Sequence, residues 1–320
     1  MRDAVTALVV ALPFLAGATT GTDPARQPPE FRLEDPAIVE SSGLVVQDGL
    51  VVTVNDSGDE ARVFTVDPAT GRTVGTTRWA GEATDIEALA PAGEGQVWVG
   101  DIGDNTGSRD EVTVTRVPVG PGDRTVASPV SYRLAHPGSP ADAEALLAHP
   151  DTGRLYVVTK GVLGGVVLAA PARLRADRVN RLRPLDRVMP IVTDGAFLPS
   201  GDRLVLRDYT RAVVHDFPSF EVVSEVVLPQ QEQGEGIAAL AEDRVLVSTE
   251  GQRSPVHQVA LPPSPTPADP PSTFSREGRE LPEEPNPGPD PFPWLLGLGL
   301  GAVSLVVLWA SLRSPPHQPR

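Results

Sequence analysis

The segment DIEALAPAGEGQVWVGD, residues 85–101, shows the pattern from which the fold of this chain can be predicted. An acidic residue, Glu87, precedes a short apolar strand, which is followed by a glycine-containing polar turn and a second, more β-branched strand. Two apolar runs separated by a tight polar turn predict a β-hairpin. The acid before the first strand and Asp101 after the second strand are then neighbours at the open end of that hairpin.

The same plan occurs five times along the chain. The five segments are Glu40 with SSGLVVQDGLVVTVND, Glu87 with ALAPAGEGQVWVGD, Glu144 with ALLAHPDTGRLYVVTK, Asp194 with GAFLPSGDRLVLRD, and Glu235 with GIAALAEDRVLVSTE. The residue numbers of the leading acids give spacings of 47, 57, 50 and 41 residues. This is the blade period of a β-propeller, in which each blade is a four-stranded antiparallel sheet. The sequence therefore predicts an all-β fold with a single β-propeller.

Five four-stranded blades fit the length best, at about 46 residues per blade over residues 30–261. The fifth repeat lacks its outer strand, and we expect the extended segment Phe31 to Ile38 to complete that blade and close the ring. Six blades stay open as an alternative, with an unrecognised repeat within residues 161–193. Two packed β-sandwich domains are the other alternative.

Composition excludes several classes of protein. The 320 residues include no cysteine, which excludes disulfide frameworks, Cys-ligated zinc and Cys nucleophiles. The 42 acidic side chains against 27 basic ones give a net charge of −15, so we expect no nucleic-acid partner. The sequence contains no HExxH, GxSxG or P-loop pattern. No catalytic residue can therefore be identified from a motif.

Both ends of the chain are predicted to be targeting segments. The apolar run from Ala4 to Ala16 is typical of a secretory signal, with a retained N-terminal anchor as the alternative. A segment with 12 prolines predicts an extended stalk, and 19 uncharged residues after it are long enough for a transmembrane helix. The predicted parts are a signal peptide and leader (1–26), the β-propeller ectodomain (27–260), the stalk (261–293), the transmembrane helix (294–312) and a cytoplasmic tail (313–320). We therefore expect a single-pass protein of the cell membrane, anchored by its C-terminal helix, with an extracellular ectodomain.

The repeat predicts a charged ring around one mouth of the central channel. If the first strand of each repeat is innermost, the leading acids surround this mouth: Glu40, Glu87, Glu144, Asp194 and Glu235. The residues that follow the second strands lie beside them: Asp56, Asp101, Lys160, Arg207 and Glu250. A one-residue change of register would turn a side chain of this second set to the other face.

Crowded carboxylates take up protons, pair with cations or bind a metal. Two repeats place a cation, Lys160 or Arg207, where the other repeats place an acid, and Tyr209 follows close behind. These cations either neutralise the ring or bind an anionic ligand. The residues predicted to bind an extracellular ligand or protein are Lys160, Arg207, Tyr209, Glu87, Glu144, Glu235 and Glu250.

Two equivalent loops, DSGDE at 56–60 and DIGDN at 101–105, repeat a DxGD pattern. Oxygen-rich loops that contain glycine are suited to Ca²⁺, which makes Ca²⁺ the expected cofactor. The predicted metal ligands are Asp56, Asp59, Asp101 and Asp104. The alternative is that these aspartates cap turns by accepting hydrogen bonds from nearby backbone N–H groups.

The strings ESSGL, NDSGD, TDIEAL, GDIGDN, DAEALL, VVTK and QGEGIA occur in this order over residues 38–260. In this respect the chain resembles a group of bacterial secreted or membrane-tethered β-propeller proteins and is distantly similar to the phytase-like, esterase-like propeller families. The resemblance implies an acidic channel that binds Ca²⁺, with Lys160 and Arg207 holding phosphate. Phytases of this type have six blades, whereas this sequence shows five repeats.

The sequence thus predicts a membrane-anchored binding module that recognises an extracellular ligand or protein at an acidic channel face, with Ca²⁺ as a candidate cofactor. The alternative is a calcium-dependent hydrolase of phosphate or other esters. Paired carboxylates across the channel would also suit glycoside hydrolysis, but nothing in the sequence selects such a pair.

Overall fold

The structure, a computed structural model, describes residues 29–56, 58–81 and 83–263. Contacts divide the chain into Met1–Pro267 and Ala268–Arg320, and all described residues belong to the first part. The predicted signal peptide, transmembrane helix and cytoplasmic tail, and the stalk beyond residue 263, lie outside the described residues. Within the described ranges, no helix combines the length and the hydropathy that a membrane span requires.

The described chain is all-β and forms five sheets, which confirms the predicted five-bladed propeller. Blade 1 contains β2 (Ser41–Gln47), β3 (Leu50–Asn55), β4 (Arg62–Asp67) and β5 (Arg72–Trp79). Blade 2 contains β6 (Ile86–Pro91), β7 (Gln96–Asp101), β8 (Glu111–Pro118) and β10 (Val130–Ala135). Blade 3 contains β11 (Ala143–Ala148), β12 (Leu155–Thr159), β13 (Val166–Ala169) and β15 (Arg183–Arg187). Blade 4 contains β16 (Asp194–Phe197), β17 (Arg203–Arg207), β18 (Arg211–Asp216) and β19 (Val222–Val227).

The fifth blade is completed by the N-terminus, as the sequence predicts. It contains β20 (Gly234–Ala241), β21 (Arg244–Thr249), β22 (Pro255–Ala260) and β1 (Phe31–Arg32). Strand β1 pairs antiparallel with β22, and Phe31 lies opposite Val256. Closing the ring in this way covers the edge that an open array of blades would expose.

Two short strands extend the blades beyond the predicted pattern. Strand β9 (Arg124–Val126) comes from blade 2 and pairs in parallel with β5, the outer strand of blade 1. Strand β14 (Asn180–Arg181) comes from blade 3 and pairs in parallel with β10 of blade 2. Each addition covers an outer edge and joins it to the following blade.

The hydrophobic core lies between the faces of adjacent blades. Five clusters of buried side chains fill the five interfaces, and Leu134 and Leu146 are fully buried between blades 2 and 3. Burying a Val, Leu or Phe side chain contributes roughly 1.5–3 kcal/mol, so these interfaces supply most of the stabilisation.

The first strand of each blade is innermost, and β2, β6, β11, β16 and β20 contact one another in ring order. Small residues allow this close approach. A Cβ added to Gly43 of β2 would lie 2.4 Å from the backbone nitrogen of Leu89 in β6. Gly43 is therefore required by the distance between inner strands.

Candidate functional site

Three glutamates reach the channel because their strands are bulged. In β6, β11 and β20 the pairing register shifts next to Glu87, Glu144 and Glu235. A β-bulge adds one residue to a strand and redirects its side chain. These three glutamates are 3%, 3% and 4% exposed. The repeat thus places three buried carboxyl groups around one end of the channel, the end called the acidic mouth below.

Blade 1 differs from the sequence-based prediction. Glu40 is exposed and lies outside β2, and the bulge of that strand places Ser42 where the other blades have their acid. The Ser42 hydroxyl donates a hydrogen bond to the backbone oxygen of Glu87, at 2.7 Å. Glu40 therefore lies outside the buried inner ring, because it precedes the bulge, although its charge is among those that raise the pKa of Glu250 at the mouth.

Asp194 of blade 4 is fully buried and links neighbouring blades. Its carboxylate accepts hydrogen bonds from the backbone N–H of Gly195 at 2.7 Å and of Ile237 in blade 5 at 2.8 Å. Burial raises the pKa of Asp194 well above its usual range, although these hydrogen bonds oppose the effect. Its contacts are those of a structural residue.

Arg207 also has structural contacts. It is fully buried, and it donates hydrogen bonds to the backbone oxygens of Gly236 and Ser248 at 3.0 and 3.1 Å and to Gln231 Oε1 at 2.9 Å. Burial lowers the pKa of Arg207 to about 10, with Glu235 and Asp194 opposing, so the group stays charged at neutral pH. The structure places this predicted ligand-binding residue behind the mouth.

Lys160 and Tyr209, by contrast, lie at the mouth together with Glu144. The Lys160 ammonium donates to Glu144 Oε1 at 2.8 Å and lies 5.6 Å from the centre of the Tyr209 ring. Burial raises the pKa of Glu144 despite the neighbouring ammonium, and Glu144 raises the pKa of Lys160 although burial opposes it. Three of the predicted ligand-binding residues are therefore brought together.

A carboxylate cluster lies across the mouth. One carboxylate oxygen each of Asp56, Asp85 and Glu87 lies within 4.8 Å of the others, a spacing that could accommodate a metal ion. Gly103 borders the cluster, because a Cβ added there would lie 2.4 Å from Asp85 Oδ2 and 2.7 Å from Glu87 Oε1. Burial, and after it the negative charges of neighbouring carboxylates, raises the pKa of both Asp85 and Glu87.

The other predicted metal ligands make separate contacts. Asp59 forms an ion pair with Arg62 at 2.6 Å. Asp101 pairs with Arg109 at 2.7 Å, and Asp104 accepts the backbone N–H of Ser108 at 2.9 Å. The four predicted aspartates do not form one cluster. Asp104 caps a turn by accepting a backbone N–H, as the alternative to metal binding predicts. Asp56 alone joins the carboxylate cluster.

Glu235 and Glu250 complete the mouth on the blade 5 side. Gln233 Nε2 donates to Glu250 Oε1 at 2.6 Å and to Glu235 Oε1 at 3.2 Å. The second oxygen of Glu235, Oε2, is buried without a hydrogen-bond partner. Burial, followed by repulsion from Glu235, Asp56 and Glu40, raises the pKa of Glu250 to about 7.

Fold and site together define a five-bladed β-propeller with an acidic channel mouth. Among solved structures, the chain is similar to the PQQ-bound form of aldose sugar dehydrogenase (Adh) from Streptomyces coelicolor, with 13% identity and a TM-score of 0.42 over 70% of this chain and 96% of that chain. A likeness at this level says nothing about ligand or activity. No protein-family model matches the chain, and a search of curated proteins finds no match. The resemblance to phytase-like families therefore stays a prediction.

Proposed function

We propose that this chain is a membrane-anchored, extracytoplasmic binding module whose acidic mouth binds a cation. The observation that carries the proposal is the cluster of Asp56, Asp85 and Glu87, with carboxylate oxygens within 4.8 Å of one another. Buried carboxylates repel one another and lose their hydration, and both effects raise the free energy of the folded state. A cation that binds between the carboxylates lowers this free energy.

Ca²⁺ fits the donor set. Calcium binds carboxylate oxygens at about 2.3–2.6 Å, so oxygens on opposite sides of the ion are separated by about 4.6–5.2 Å. The three oxygens, which all lie within 4.8 Å of one another, are close enough for one calcium ion to contact them together. Glu235 supplies a second argument, since its Oε2 lacks a hydrogen-bond partner in a side chain that is 4% exposed, and Asp56 is among the charges that raise the pKa of Glu235.

A protein partner is supported by an apolar loop beside the mouth. Residues 161–165 follow Lys160 directly, and they include Val162 and Leu163, which are 78% and 93% exposed. Ile191 lies next to this loop, because its N–H donates to the backbone oxygen of Gly161 at 3.0 Å. Exposed apolar side chains next to a charged pocket are typical of interaction sites. The partner would present a basic residue flanked by apolar side chains.

Metal binding is tested by thermal melting of the full chain with Ca²⁺ or with EDTA. A ligand that binds only the folded state stabilises it, by about 2.7 kcal/mol at 100 times Kd. Gly103→Ala should abolish the shift, because its methyl group would occupy the space between Asp85 and Glu87. Glu94→Gln removes an exposed carboxylate from a turn at the opposite end of blade 2 and should retain the shift. No shift at millimolar Ca²⁺ would refute the metal site.

The alternative function, a calcium-dependent phosphoesterase or esterase, is favoured by the position of Lys160 at the same mouth. An ammonium group beside a metal can bind a phosphate or carboxylate. Hydrolysis of generic phosphoester and carboxyester substrates should then decrease strongly in Lys160→Ala and Glu144→Ala. Equal rates in both variants and the unmodified chain would exclude a hydrolase that uses this mouth.

A further inference from the structure

The end of the channel opposite the acidic mouth contains a cavity of about 550 Å³. The five inner strands run from the acidic mouth to this end, where Leu44, Leu89 and Leu146 form its inner wall. Trp98 and Phe197 line its sides. We call this region the apolar mouth.

The size of the cavity matches that of a small-molecule site. Pockets that bind such ligands have volumes of about 300–1,000 Å³ and mostly apolar walls. Ala196 and Ala238 line the cavity where larger side chains would fill it. A folded protein domain is too large to enter, so the shape selects a small molecule.

The polar groups that line the cavity favour an anion. The described residues that line the cavity include Arg116 and His149 but no Asp or Glu, although the chain has 42 acidic residues. The Arg116 guanidinium lies 5.9 Å from the centre of the Trp98 ring. His149 Nδ1 accepts the N–H of Asp151 at 3.2 Å, so in the neutral ring Nε2 carries the proton and donates. Both groups are therefore hydrogen-bond donors.

We propose that the apolar mouth binds an amphiphile with an apolar body and one carboxylate, of the class of medium-chain fatty acids. The apolar body lies against Val46, Trp98 and Ala196, which line the cavity with partly exposed side chains, and the carboxylate pairs with Arg116 at the rim. Arg is the side chain best suited to a carboxylate, because its planar guanidinium donates two parallel hydrogen bonds. This site is independent of the acidic mouth and of any cation bound there.

Isothermal titration of the full chain in nanodiscs tests the proposal, with octanoate as the probe, 1-octanol as its uncharged counterpart and empty nanodiscs as the reference. We expect one octanoate per chain, bound at least tenfold more tightly than octanol. Arg116→Gln should weaken octanoate about tenfold and leave octanol unchanged. Arg173→Gln, which alters an exposed arginine that does not line the cavity, is the matched control and should bind as the unmodified chain does.

Filling the cavity provides the second arm. Ala92→Phe at the rim, and Ala239→Leu on the wall, should each prevent binding of both probes while the melting temperature stays close to that of the unmodified chain. A shift in tryptophan emission on octanoate binding, absent in Trp98→Phe, would locate the ligand. Equal affinity for octanoate and octanol, or full binding in both filled variants, would overturn the proposal. So would the absence of binding at about 10 mM octanoate, roughly ten times a weak Kd of 1 mM.

Discussion

The two mouths of the channel are formed by the same five inner strands, yet the side chains at the two ends differ in polarity. At the acidic mouth the strands are bulged and bury Glu87, Glu144 and Glu235, each with a raised pKa. At the apolar mouth the walls are aliphatic and aromatic, and they enclose space that larger side chains could fill. Burying a carboxyl group costs free energy, and an unfilled cavity loses packing contacts.

Both mouths therefore depart from what stability alone would select. A chain selected only for stability would place apolar residues at the bulges and close the cavity with larger ones. Departures of this kind are expected at functional sites. The two ends of the channel therefore differ in chemistry, with buried carboxyl groups at one end and an apolar cavity lined by Arg116 and His149 at the other.

The greatest loss of stability is expected on substitution of Arg207, the buried arginine that lies behind the acidic mouth. Arg207→Ala removes a fully buried guanidinium and leaves the backbone oxygens of Gly236 and Ser248 without these donors. Breaking a buried charged network typically costs about 3–5 kcal/mol. Urea denaturation should show a loss of this size, with Arg173→Gln as the control. A loss below about 1 kcal/mol would show that Arg207 does not support the mouth.

The acidic mouth should lose stability as the pH rises. Glu250 has a pKa of about 7 in the folded chain, above its ordinary value of 4.5, through burial and through Glu235, Asp56 and Glu40, with Lys160 opposing. The folded state therefore binds this proton more tightly, and stability falls between pH 4.5 and 7. In EDTA, Glu250→Gln should raise the melting temperature at pH 8 relative to the unmodified chain more than at pH 4. A constant difference across this range would contradict the assignment.

The end of blade 4 nearest the apolar mouth should show the opposite pH dependence. Burial lowers the pKa of His215 below its ordinary value of 6.5, although the backbone oxygen of Phe220, 2.9 Å from Nδ1, opposes the shift. The unfolded chain binds this proton more tightly, so stability decreases as the pH falls below 6.5. His215→Asn, which retains a donor for Phe220, should make the melting temperature less sensitive to acid. An unchanged acid slope would contradict this interpretation.

The smallest expected effect on stability is at the loop beside the acidic mouth. Leu163 is 93% exposed, so Leu163→Ser should change the free energy of unfolding by less than about 0.5 kcal/mol. The same change should weaken capture of a basic, apolar peptide by the acidic mouth. Val222→Ser, on the exposed outer strand of blade 4, removes a comparable apolar side chain and serves as the control. Equal peptide binding by both variants would remove the loop from the proposed interface.

The blade number and the closing strand could be predicted because both depend on local hairpins that repeat. Glu87, Glu144 and Glu235 could also be located, since each stands at the same place in its repeat. The metal ligands predicted from the sequence do not include Asp85, although the DIE of repeat two and the DAE of repeat three place an aspartate two residues before the glutamate. That pattern was the available signal.

Side-chain direction could not be predicted to the same accuracy. The pattern of an acid before a strand predicts Glu40 in the inner ring, but the bulge of β2 shifts the register so that Ser42 takes that place. In blade 4, Arg207 is the last residue of β17 and is fully buried, whereas Lys160 and Glu250 each come one residue after the end of their strand. The cavity had no sequence signal, because its lining residues have the pattern of ordinary strand interiors.

The pairing of β1 with β22 also bears on the time course of synthesis. Phe31 is among the first residues of the propeller to leave the ribosome, and its partner Val256 is among the last. Blades 1 to 4 contain their principal strands in sequence order and can form as the chain emerges, whereas blade 5 waits for both ends. Strand β1 therefore stays unpaired until β22 emerges, and contacts of such long sequence separation also form slowly. A chaperone that protects the nascent chain would be needed longest at β1.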